Sequence, residues 1–147
     1  MEDGKKMNNL KILYEDNHII VVIKPYNVPV QADSSNDLDM LTIIKNYIKE
    51  KYNKPGNVYL GLVHRLDRPV GGIMVFAKTS KAASRLSEEI RNNTFHKTYL
   101  AVIQGTMPKE GKLEDYLIKD NNKNISYIAT KDKGKYSALE YKILNTK

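Results

Sequence analysis

At 147 residues the chain has the length of one domain with its own core and is too short for two of ordinary size. Hydrophobic residues make up 41%, which excludes a disordered chain, and no apolar run approaches the roughly 20 residues of a membrane-spanning helix. The lack of cysteine excludes disulfides and thiolate metal sites, and the formal charge of +7 points to an anionic partner.

Residues 1–9 are polar and contain no apolar h-region, so they read as a disordered leader rather than a secretory signal, and a cytoplasmic location is expected. Residues 10–147 form the globular part. Leu10 to Tyr14 is a short strand, followed by turn chemistry at Glu15-Asp16-Asn17-His18. Ile19 to Ile23 is an unbroken β-branched run, expected to be a strand buried on both faces, and Lys24-Pro25 ends it. In the loop that follows, Asn27 is a type that accepts the left-handed conformation. Asp37 or Asp39 caps a helix running to about Tyr52, with Leu41, Ile44 and Ile48 on its buried face.

A strand over Val58 to Leu66 then leads into Asp67, and Arg68-Pro69-Val70-Gly71-Gly72 is a tight turn. Ile73 to Ala77 is apolar on both faces and reads as a central strand. A helix opens at Thr79 or Ser80 and runs to about Asn93, burying Ala82, Ala83, Leu86 and Ile90. Tyr99 to Ile103 reads as another doubly buried strand. Three weaker strands, Leu113–Ile118, Ile125–Ala129 and Leu139–Leu144, alternate with lysine-rich turns as in an antiparallel meander. This order predicts an α+β fold, a mixed and largely antiparallel sheet with two helices.

His64-Arg65-Leu66-Asp67 carries the strongest chemical signal. In extended backbone, alternate residues share a face, so Arg65 and Asp67 project to one side and His64 and Leu66 to the other. A guanidinium beside a carboxylate favours its ionised form, and such an aspartate serves as nucleophile or base. The plainer alternative is a surface Arg–Asp pair at a strand end. The arginines refine the charge argument, because all four (Arg65, Arg68, Arg85, Arg91) fall in one window beginning at this tetrapeptide. Arginine grips phosphate bidentately where lysine offers a point charge, which favours a nucleic-acid ligand near Asp67. His18, His64 and His96 fit no zinc spacing, and no glycine-rich phosphate loop is present.

Gly61-Leu62-Val63-His64-Arg65-Leu66-Asp67, followed by Gly72-Ile73-Met74-Val75-Phe76-Ala77-Lys78, closely resembles the signature of the RluA-type pseudouridine synthases. Tyr14-Glu15-Asp16 with Ile20 to Pro25 is similar to the family's first motif, and Lys97-Thr98-Tyr99 through Gly105 to its Lys-x-Tyr strand. The resemblance implies the family's catalytic-domain fold and an isomerase that converts uridine to pseudouridine in structured ribosomal or transfer RNA, without metal or organic cofactor. It assigns Asp67 as the catalytic aspartate and Tyr99 as the ring that holds the uracil. Arg65 contacts substrate, at a phosphate or in the space of the extruded base. Whether the aspartate attacks C1′ or takes the C2′ proton stays open.

Some positions depart from the family pattern. Val70-Gly71 stands where the family has Thr-Ser, Ile23 replaces the usual Asn, and Asn27 stands at a common Gly. The family's Gly-Arg-Thr-His-Gln-Ile-Arg-like segment has no match before Lys147, so the expectation is an N-terminal part of a catalytic domain. An unpaired sheet edge would then promote self-association. The competing readings are a non-catalytic RNA-binding fragment and a carboxylate-dependent hydrolase, the latter requiring a second acid near Asp67 or a metal site.

Overall fold

Alternation along the β-branched run after His18 builds the spine of the larger sheet. In the computed structural model, which describes residues 10–146, the chain divides into two units at Thr98/Tyr99. The expected leader at 1–9 lies outside the described residues. In the first unit, β1 (Lys11–Glu15), β2 (Ile19–Lys24), β3 (Gly61–Leu62) and β4 (Gly72–Ala77) form an antiparallel sheet in the order β1-β2-β4-β3. Ile20, Val22 and Lys24 of β2 are fully buried on one face, while Ile19, Val21 and Ile23 are half-buried on the other. The strand is therefore not sealed on both sides as its composition predicts.

The helix α1 (Met40–Lys51) closes the buried face. Asp39 caps it, accepting from the Thr42 backbone N–H at 3.1 Å. The next orphan donors reach the preceding loop, Met40 N–H to Pro29 O and Leu41 N–H to Val30 O. Helical spacing sets Met40, Ile43, Ile44 and Ile48 against Ile20, Val22, Met74 and Phe76, which together form the core. Leu41 lies only at its margin. The second helix, α2 (Ser80–Arg91), is capped by Thr79 and buries Ala82 alone; Ala83, Leu86 and Ile90 are half-covered. It approaches the sheet closely at Gly61, where an added Cβ would meet Ala83 Cβ at 2.9 Å.

A polar knot ties β1, α1 and the end of β4 together. The Glu15 carboxylate accepts from Tyr47, Lys51, Tyr52 and Lys78 at 2.7–2.9 Å, and Lys78 also donates to Asp16 O. Burial opposes its ionisation, but the four donors outweigh burial and bring its pKa down to about 2.

The sequence-based strand over Val58 to Leu66 is mostly absent, since only Gly61 and Leu62 pair with β4. The ladder stops where a side chain replaces it: His64 Nε2 accepts the Val75 N–H at 3.1 Å.

The second unit holds a three-stranded antiparallel sheet, β5 (Glu110–Asp120), β6 (Ile125–Ile128) and β7 (Lys135–Lys142), in the order β6-β5-β7. The strands exist as expected, but a meander would put β6 in the middle. Instead the eleven-residue β5 is long enough to pair with β7 over Glu110–Leu117 and with β6 over Leu117–Asp120. None of the unit's described residues is fully buried. The doubly buried strand expected at Tyr99 to Ile103 does not form. Leu100 is 86% and Val102 103% exposed, because among the described residues no backbone completes a ladder along them. Within each sheet all pairing is antiparallel, and with two helices the class is α+β.

Candidate active site

Beyond β3 the chain stays extended enough to keep its alternation. His64 and Leu66 turn inward, and Arg65 and Asp67 are exposed on the opposite side. His64 is a framework residue: besides its bond to Val75 it packs against the Phe95 ring, centroids 5.6 Å apart. Burial, and secondarily the Lys97 charge, lower its pKa and keep the ring a neutral acceptor. Leu66 packs against the core, which fixes the register of its neighbours.

Asp67 then opens a β-turn, its carbonyl accepting from Val70 N–H at 2.9 Å. The turn is gripped from beneath by Lys24. That side chain is fully buried, and its ammonium donates to Pro25 O at 3.0 Å, Arg68 O at 3.0 Å and Val70 O at 2.5 Å. Three carbonyl acceptors suit an ammonium with three protons, so the buried charge is fully solvated by backbone. Burial lowers the lysine's pKa, and the field of the Asp67 carboxylate opposes that shift. Asp67 therefore has a positive neighbour, but a different one from that expected. No ion pair joins Arg65 to Asp67 among the described residues, because an exposed guanidinium two residues away gains little by leaving water.

By composition Lys24-Pro25 marks the end of a strand and nothing more. The signal that could have found the lysine's role is its parity: it continues the buried alternation of Ile20 and Val22. Arg68 is engaged elsewhere. It pairs with Asp33 and Asp37 and donates to Ser35 Oγ at 2.9 Å, pinning the 33–37 loop beside the turn. These pairs are solvent-exposed and serve placement more than stability. Tyr99 is the first residue of the second unit, with its ring exposed. Among the described residues, no group of three or more His, Asp or Glu gathers to hold a metal ion.

The family model described as RNA pseudouridylate synthase matches residues 18–147. The chain belongs to this family. Among curated pseudouridine synthases, it is 33% identical over 138 residues to "Ribosomal large subunit pseudouridine synthase C" of Buchnera aphidicola subsp. Baizongia pistaciae, covering 92% of this chain and 42% of that protein. It is likewise 33% identical over 136 residues to "Ribosomal large subunit pseudouridine synthase D" of Yersinia pestis, covering 92% and 41%. The chain thus spans about two fifths of the length of these relatives. Its fold is similar to the solved "Human RNA Pseudouridylate Synthase Domain Containing 4", with a TM-score of 0.69 at 20% identity, over 93% of this chain and 54% of that one. As a pseudouridine synthase sequence, the chain carries the RluA-type signature on the segment from β3 through β4, around the exposed Asp67.

Proposed function

We propose that the whole protein represented by this chain isomerises uridine to pseudouridine in structured RNA, with Asp67 acting at the glycosidic bond. The observation that carries this reading is the placement of Asp67: an exposed carboxylate on a turn held rigid by the buried ammonium of Lys24. Base chemistry of this kind needs the target nucleotide turned out of its stack, so the carboxylate must be accessible and fixed. The bond between N1 and C1′ breaks, the uracil turns, and C5 bonds to C1′; the C5 proton leaves to solvent and N1 takes up a proton in its place. Asp67 serves either as nucleophile at C1′ or as base toward the C2′ proton. The chemistry calls for no metal and no organic cofactor.

Arg65 lies on the Asp67 side, exposed and unpaired with it, which supports a contact to RNA phosphate or to the space vacated by the base. For Tyr99 the support is the resemblance alone, which assigns it to hold the uracil by stacking. The names of the bacterial relatives favour ribosomal over transfer RNA as substrate, and a cytoplasmic location follows from that substrate. No helix of the described residues is long and apolar enough to cross a membrane.

A second reading applies to this 147-residue chain taken by itself, because it spans two fifths of its relatives: a non-catalytic RNA-binding part of such an enzyme. Tritium release from RNA labelled at uridine C5, measured on the whole protein and on the 147-residue chain, separates the two: release by the first only, with RNA bound by both, selects the second reading for the chain by itself. Release by the whole protein supports the isomerase. RNA binding without release, by the whole protein, contradicts it.

A further inference from the structure

Tyr26 is a tyrosine with one face in use and one free. It follows Lys24-Pro25 at the end of β2, is 75% exposed, and its hydroxyl makes no hydrogen bond among the described residues. A Cβ added to Gly71 would lie 3.1, 3.2 and 3.2 Å from the ring carbons Cε1, Cδ1 and Cζ. Near-equal distances to three consecutive ring atoms put that point over the ring face; beside the rim, one atom would be much closer than the other two. The inner face therefore rests on the Gly71 backbone, and only a residue without a side chain lets it lie so close.

Gly71 directly follows the turn that bears Asp67. The ring therefore rests on the residue that follows a turn whose two ends, Asp67 and Val70, lie within about 7 Å of each other. Ring and turn are coupled to the same anchor, since Lys24 grips Arg68 O and Val70 O two residues before Tyr26. A mostly exposed ring contributes little to the core. A flat π-face open to solvent is instead what unstacked nucleobases bind, with little preference for sequence.

We propose that the outer face of Tyr26 is a stacking site for a nucleobase next to the target uridine. This subsite rests on the RNA reading given above. A nucleotide strand that presents its uridine to Asp67 must be opened on at least one side, and the displaced neighbour then needs a surface for its face. Tyr26 offers that surface, while cationic groups such as Arg65 engage the backbone.

The test measures binding of a fluorescent stem-loop RNA with uridine in its loop to the wild-type whole protein and to Tyr26→Phe, Tyr26→Ala and Gly71→Ala, with a thermal melt of each. Phe keeps the π-face and should bind like wild type. Tyr26→Ala should bind roughly tenfold more weakly. Gly71→Ala displaces the ring without removing it and should also weaken binding. The salt dependence should keep the same slope in all four proteins, because no phosphate contact is lost. Wild-type affinity in a folded Tyr26→Ala variant overturns the subsite while leaving the isomerase reading intact. Failure of the wild-type protein to bind RNA overturns both.

Discussion

Lys24 and Asp67 define the site at the level of single residues, and each makes the other intelligible. A fully buried lysine needs acceptors, and the turn after Asp67 needs a donor for carbonyls that no strand satisfies. In Lys24→Met the carbonyls of Pro25, Arg68 and Val70 lose their common donor. Stability should fall by at least about 2 kcal/mol in denaturant titration. The isomerisation rate should fall on the order of 10²-fold, because the carboxylate is no longer held in place. An unchanged rate in a folded variant contradicts the clamp. His64 makes a second prediction. Its lowered pKa means that the unfolded chain binds the proton more readily, so its contribution is present above the ordinary imidazole value of about 6.5 and is lost as pH falls below it. His64→Leu removes both the bond to Val75 and the titration. The stability gap between wild type and this variant should narrow between pH 7 and pH 5, and a constant gap would show that the ring does not accept as the neutral form. The shared face of Arg65 and Asp67, opposite that of His64, was legible from alternation alone. The role of Lys24 was not, because a lysine at a strand end reads as an exit to solvent unless the buried parity of β2 is extended to it.

Elements followed their local chemistry where that chemistry was complete in itself. The caps at Asp39 and Thr79, the left-handed Asn27 and the strands β2 and β4 all rest on residues close in sequence or on strong apolar patterning. Strand length was less legible. Apolar content predicts burial, but pairing needs a neighbour, and Val58 to Leu66 and Tyr99 to Ile103 have too little of one. The Glu15 knot was also invisible, since its donors come from Tyr47, Lys51, Tyr52 and Lys78, far apart in the chain. Glu15→Gln leaves the nearly buried Lys78 without its carboxylate and should cost about 3 kcal/mol at pH 7. The carboxylate's contribution is fully present above the ordinary range near 4.5 and disappears as pH falls toward about 2. Urea titrations at pH 7 and pH 3 should therefore show the gap closing with acid; an equal gap at both would remove the ionised carboxylate from the account of stability.

For the molecule as a whole, two consequences join fold to function. The Leu100 to Ile103 run exposes apolar side chains, and the outer strands of the second sheet each have one edge unpaired among the described residues. The 147-residue chain should self-associate as its concentration rises, and sedimentation showing one monomeric species throughout would contradict that. The proposed chemistry rests on one group, Asp67. The most direct measurement is single-turnover tritium release from C5-labelled uridine RNA by the whole protein and by Asp67→Asn, with RNA affinity determined alongside. The substitution is nearly isosteric and faces solvent, so affinity should persist while the rate falls by 10²-fold or more, on the order expected for loss of an acid–base or nucleophilic group. Equal rates in the two proteins would remove Asp67 from the reaction.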